Sequence, residues 1–588
     1  MRRLSRISAF CALAFGLAAP CLAQDPSTTL HALVDEEWDQ RLHDDPLLAT
    51  RVGDRRGIDS LPTMSIEAIS TRAAQDAGYL ERLAAIDRAA LDDTDRVTYD
   101  VFRWQLETRA GEAAVGHYRF PLTSDTGFHI QLALMPAWVP LETPADYRAY
   151  ITRLHAIPEF VEEHIELLRD GIRVGWTLPK VVLEGYDVTI KSHIVDEVEE
   201  SLFAKPFENF PPGVPEDERA ALREAGHKAV LEGAVAGYRA FLKFFNEEYF
   251  PKSRTSVGVS QMPDGAAYYD NRVSRFTNID ITAQAVHDIG LEEVARIRGE
   301  MDAIIEKVEW EGDFAGFLEF LRTDARFYAE TPEELMKEAA YISKRADGAL
   351  PQLFRHFPRQ PYGVEPVPDY LAPKYTAGRY VPAPLESTRG GTYWVNTYDL
   401  KTRPLYALEA LSLHEAVPGH HFQFALSAEL DMPPFRQQLY ISAFGEGWGL
   451  YSERLGLEVG FYTDPYSDFG RLTYEMWRAC RLVVDTGLHA LGWSRQKALD
   501  YLAANTALSI HEVTTEIDRY ISWPGQALSY KIGEIKIREL RAKAESKLGE
   551  RFDLRAFHDQ LLTNGAVPLP VLEAEMNRWI AERAGDVN

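Results

Sequence analysis

His414-Glu415-Ala416-Val417-Pro418-Gly419-His420-His421 packs three histidines and a glutamate into one short stretch. Imidazole nitrogens are ready ligands for zinc, and a glutamate beside a ligand can take a proton from a water the metal has acidified. The chemistry such a set would perform is hydrolysis. The usual arrangement puts histidines at i and i+4, so that both leave one helix face. Here that second position is Pro418, which has no ligand atom. On a regular helix His420 would be rotated by roughly 240° from His414, and His421 would lie about 10 Å further along the axis. Neither pair could reach one ion through bonds of about 2 Å. Pro418-Gly419 removes the difficulty, because proline interrupts the helical ladder and glycine tolerates the dihedrals that follow. The spacing predicts a broken or bulged helix, with His414 and His420 as ligands and His421 as the alternative to His420.

A catalytic zinc needs a third protein ligand and one open position. Gly445-Glu446-Gly447-Trp448-Gly449-Leu450-Tyr451-Ser452-Glu453 is the obvious source. Glu446 and Glu453 share one helix face. Three glycines cost a helix stability unless something must approach closely. Either an acid reaches the metal, or the stretch is a tight helix pair with both acids in solvent. Downstream, Glu516 to Lys531 is dense in hydrogen-bond donors. A zinc hydrolase needs a donor aimed at the developing oxyanion, and Tyr520, Tyr530, His511 and Lys531 are candidates. Taken singly, each tyrosine reads better as a core aromatic whose hydroxyl bonds to backbone. His287, His489 and His558 lie in helical context and read as structural.

The elements that must position these groups are mostly helices. Leu80 to Ile86, Phe160 to Leu168, Val230 to Phe245 and Leu291 to Val308 carry apolar residues at three-to-four spacing. Thr331-Pro332 reads as a cap and first turn, opening a helix through Ile342. Pro211 to Pro215 reads as a loop between helices. The clearest strand is Gly390 to Thr397, rich in β-branched and aromatic residues after a glycine pair. The expected fold is mainly α with one small sheet.

Of the 588 residues 46% are hydrophobic, enough for a large core, and no linker-like or low-complexity tract divides them. The formal net charge of −26 argues against nucleic acid and anionic membranes as partners. Arg2, Arg3 and Arg6, the apolar run from Ile7 to Ala19, and Pro20-Cys21-Leu22-Ala23 read as an export signal (residues 1–23) cleaved after Ala23. The run is too short for a membrane span. Pro20 fits a lipid-attachment box at Cys21 poorly, so release is the expectation, to the periplasm or beyond. Cys11 and Cys21 would leave with the leader; Cys480 alone could form no internal disulfide. No G-x-S-x-G elbow is present, and the glycines at 445–449 have no βαβ context for a nucleotide loop.

The His414 motif through Gln423, Gly445-Glu446-Gly447-Trp448, Val484-Asp485-Thr486-Gly487, and Arg519-Tyr520 with Pro524 to Ala527 and Tyr530 to Gly533 resemble the bacterial family DUF885 along essentially the whole mature chain. That family resembles in turn the helical gluzincin peptidases: angiotensin-converting enzyme, thimet oligopeptidase and the Taq-type carboxypeptidases. The resemblance implies a large, two-lobed helical metallopeptidase-like domain over 24–588, with a deep cleft and the catalytic motifs in 385–535. It implies one zinc on His414, His420 and Glu446, with Glu415 as general base and Tyr520 or Tyr530 as oxyanion donor. It also implies an edge strand along the cleft, matched by Gly390 to Thr397 with Gly391, Tyr393 and Asn396, to hold a substrate backbone. Arg389, Arg519 or Lys531 would anchor a substrate carboxylate. The expected function is an exported zinc peptidase acting on short peptides. An amidase or esterase using the same residues, and a non-catalytic peptide-binding protein, are the alternatives.

Overall fold

The computed structural model describes residues 25–369, 371–383 and 389–585. The expected export signal lies outside them. Among the described residues no helix is long and apolar enough to cross a membrane. The chain is mainly helical with one three-stranded sheet. The periodic segments fall inside helices, including Ile66–Ala84, Ile157–Val174 and Ala283–Lys307. The Thr331 hydroxyl accepts from the Glu334 amide, 3.1 Å away. The helix it opens, Pro332–Leu353, runs three turns past the expected end at Ile342 and contains Pro351.

The centre of the C-terminal half is helix Pro465–His489, buried without interruption from Phe469 to His489. Its buried charges, among them Arg471, Glu475 and Arg481, are paired, which lets a helix with polar faces lie inside the protein. Around it lie the elements that carry the chemistry: helices Leu408–Glu415, His420–Glu429, Ser442–Leu455, Ile510–Ser522 and Ser529–Leu548. One apolar core runs on from Leu30 near the start to Ile580 near the end.

The sheet corrects one expectation. Strands β1 (Tyr362–Pro366), β2 (Gly378–Val381) and β3 (Gly391–Val395) lie in the order β1-β3-β2. β3, the strand legible in the sequence, is therefore central. It pairs in parallel with β1, Tyr362 opposite Gly391, and antiparallel with β2, Gly378 opposite Val395. With both edges used it cannot take up a further strand. The edge strand that faces the His414 helix is β2.

Candidate metal centre

The His414 helix ends at Glu415 and the next begins at His420. Between them Ala416 and Gly419 adopt ψ of −109° and −128°, which breaks the helix where Pro418-Gly419 predicts. A Cβ at Gly419 would stand 1.9 Å from the His414 carbonyl oxygen, so only glycine fits. The Trp448 indole donates to the Pro418 carbonyl at 2.8 Å and pins the break to the Glu446 helix. The result sets the His414 and His420 rings at right angles, with centroids 4.7 Å apart.

Glu446 arrives from helix Ser442–Leu455. One nitrogen of each histidine and one Glu446 oxygen all lie within 4.8 Å of one another. Glu446 Oε2 is 3.5 Å from His414 Nε2 and 3.3 Å from His420 Nε2. Donors at bonds of about 2.0–2.1 Å around a tetrahedral ion stand about 3.3–3.4 Å apart. The set therefore fits the donor spacing of zinc. Tyr440 donates to Glu446 Oε1 at 2.8 Å. Burial would raise the Glu446 carboxyl, but the two imidazoles hold it well below the usual range.

Behind His414 lies Glu453, whose Oε1 is 2.8 Å from Nδ1. That contact fixes the ring so that Nε2 faces the cluster. Burial would lower the His414 pKa; Glu446 and Glu453 outweigh it and push it up to about 9 in the absence of a cation. The glycines of this helix now have reasons. A Cβ at Gly449 would come within 2.7 Å of the His414 ring, and one at Gly447 within 2.6 Å of the Gly533 backbone. Both alternatives read from the sequence are thus half right: the helix is tightly paired, and its acids point inward.

Glu415 is buried beside the cluster, and its Oε2 accepts from the Tyr380 amide of β2 at 2.8 Å. His421 turns away from the cluster. Its Nδ1 lies 3.0 Å from the Tyr380 hydroxyl and its ring packs on Tyr362.

Of the two tyrosines only Tyr530 is placed over the cluster. Its ring lies 6.3 Å from that of His414 at 23°. Burial and Glu446 push its phenol up, while Arg481, Arg519 and a hydrogen bond with Gln526 pull it down. The Tyr520 hydroxyl accepts from Trp477 Nε1 and Arg481 Nε, both at 2.8 Å, and donates to Glu516. That exhausts a phenol's one donor and two lone pairs.

The other expected substrate contacts separate in the same way. The Asn396 amide is spent on the carbonyls of Ala372, Tyr375 and Thr376, shaping the turn into β2. Tyr393 is fully buried, 3.3 Å from Ser412 Oγ. At Gly391 a Cβ would meet the Tyr380 hydroxyl at 2.1 Å. Lys531 is buried among Glu293, Glu475 and Glu534, and Arg389 is exposed, 3.9 Å from Glu365. Arg519 Nη2 donates to Gln526 at 2.9 Å, on the Tyr530 side.

Arg379 of β2 has no signature in the sequence. It is exposed, and its guanidinium lies 5.2 Å from the centre of the Tyr375 ring. Surrounding protein would lower its pKa, but Tyr375 and Glu415 hold it up.

The chain belongs to the bacterial family of proteins of unknown function DUF885, whose model matches residues 46–576. A crystal structure described as that of "the putative lipoprotein from Colwellia psychrerythraea" superposes with a TM-score of 0.88 at 28% identity. It covers 95% of this chain and 100% of its own. A "putative lipoprotein of unknown function" from Shewanella oneidensis shares the fold, with a TM-score of 0.71 at 18% identity over 94% of this chain and 100% of its own. No curated protein sequence matches.

Proposed function

We propose that this family member is an exported zinc-dependent peptidase of gluzincin type that hydrolyses short peptides. The observation that carries the reading is the convergence of His414, His420 and Glu446 at tetrahedral spacing, with Glu415 one residue from the first ligand. Bound there, zinc would supply Lewis acidity toward a carbonyl oxygen and lower the pKa of a water.

The chain's own groups then divide the remaining work. Glu415 takes the proton of the attacking water and passes it to the leaving amine. Its hydrogen bond from β2 holds the carboxylate in place and sets that edge strand beside the scissile bond. A peptide laid along β2 would be held by main-chain hydrogen bonds. The Tyr530 hydroxyl donates to the oxyanion; the bonding of Tyr520 suits it to holding Arg481 and Glu516 instead. Arg379 and Arg519, both within electrostatic reach of Tyr530, anchor a substrate carboxylate. Lys531, enclosed by three carboxylates, is left out of that role. The description of a related structure as a lipoprotein supports export.

The test is elemental analysis of the purified mature protein beside a His420→Ala variant, followed by a peptide-library screen. We expect about one zinc per chain, lost in the variant. Glu415→Gln should keep the metal and lose about 10²- to 10⁴-fold in turnover. A metal-free wild type after zinc is supplied, or full turnover in Glu415→Gln, overturns the reading.

A further inference from the structure

The metal cluster is more closed at His414 than at its other two members. The His414 side chain keeps 3% of its surface in solvent, whereas those of His420 and Glu446 keep 10% and 12%. A molecule arriving from solvent therefore meets His420 and Glu446 first, and each of these has an aromatic ring beside it.

Phe424 lies four residues after His420 on helix His420–Glu429, so the two share a face. Their ring centroids are 6.0 Å apart at 63°. Tyr440 approaches from the Glu446 side and commits its hydroxyl to Oε1. Its ring stacks on Phe424, with centroids 5.8 Å apart at 12°. Gly445 makes room for it: a Cβ there would stand 2.6 Å from the Tyr440 ring. The first glycine of the Gly445–Gly449 stretch thus seats this aromatic. Tyr440 is nonetheless 38% exposed. With its hydroxyl engaged, what it offers to solvent is chiefly ring carbon. Phe424 is half-buried and also packs on Tyr380 of β2, 5.9 Å away, so the ring pair adjoins the candidate substrate strand.

Scattered exposed aromatics need no explanation. Here an exposed ring is stacked on a second, both touch residues of the cluster, and a glycine clears the seat. A charged side chain laid on these rings would lose water and gain no partner, whereas an apolar one gains by burial and a flat one by stacking. We propose that Phe424 and Tyr440 form the wall that receives a bulky apolar side chain, aromatic for preference, beside the scissile bond. This names the substrates as short peptides with such a residue there, and it rests on the peptidase reading above.

The experiment titrates acetohydroxamate and phenylacetohydroxamate into the zinc-loaded, full mature chain by calorimetry. Both carry the same zinc-chelating group, and only the second carries a ring. We expect phenylacetohydroxamate to bind about tenfold more tightly, the value of an aromatic contact added to burial. Phe424→Ala should keep its zinc and reduce that preference several-fold; the wild-type ratio is a test in itself if the variant does not fold. Equal affinity for the two probes, or a preference unaltered in zinc-bound Phe424→Ala, overturns the proposal and leaves the peptidase reading standing. If neither probe binds a chain that holds zinc, that reading fails and the proposal fails with it.

Discussion

Two buried charged clusters meet on helix Ser529–Leu548, one through Tyr530 and the other through Lys531, and they are built on opposite plans. Around Lys531 the signs alternate. Its ammonium lies 2.8 Å from Glu293 and 2.9 Å from both Glu475 and Glu534, and Arg296 and Arg471 also bind Glu475. Burial would lower the lysine pKa, and the carboxylates hold it well above its ordinary value. Around Glu446 ligand-type groups converge, its Oε2 3.5 Å from His414 Nε2 and 3.3 Å from His420 Nε2, the spacing of donors around a tetrahedral ion. Burial alone does not mark a functional site. What separates the two is that one pairs cations with carboxylates, whereas the other gathers groups of the kind that could hold a metal ion.

Substitution can break or sharpen that contrast. The largest effect on the fold is expected at Lys531→Met, which removes the fully buried cation shared by Glu293, Glu475 and Glu534. It should cost about 3–5 kcal/mol, read by urea denaturation, while the folded fraction keeps its metal. Glu446→Gln should do the reverse, losing the metal with a smaller shift in the denaturation midpoint. Next come the two tyrosines. Tyr530→Phe should lower kcat by about 10²- to 10³-fold, the value of an oxyanion donor, and Tyr520→Phe should leave kcat nearly unchanged but lower the unfolding temperature. If Tyr520→Phe is the catalytic defect, the roles given to the two clusters are reversed. The smallest effect is expected at Glu453→Gln, which keeps the fold and weakens zinc affinity by about 10- to 100-fold, measured by competition with a chelator.

The convergence of His414 and His420 was legible because its physics is local. Pro418 and Gly419 lie between two histidines, and one turn's worth of dihedral change brings those rings together. The cap at Thr331 is local in the same sense. The sheet order was not legible, because β1 and β2 carry weak strand signals, with Pro366 ending one and Gly378 opening the other, and only β3 reads strongly. A strong strand surrounded by weak ones is more often central than edge, and here that moved the candidate substrate edge from β3 to β2. Tyr520 and Tyr530 could not be told apart, since the turn at Trp523 to Leu528 resets the helical phase between them. Glu453 had a signal, its shared face with Glu446, and its role follows once His414 is known to need a partner behind it. Arg379 had none.

Gly447 and Gly533 bring the Glu446 helix and the Tyr530 helix to backbone contact. The separation between Glu446 and Tyr530 is therefore gauged by main chain against main chain, like two bars clamped with no washer. Neither glycine has a side chain, so no rotamer change at the contact can alter that gauge. The same pair is the natural place to insert a shim. Alanine at either position would lift Tyr530 away from Glu446, so that their separation could be set by one methyl group at a time.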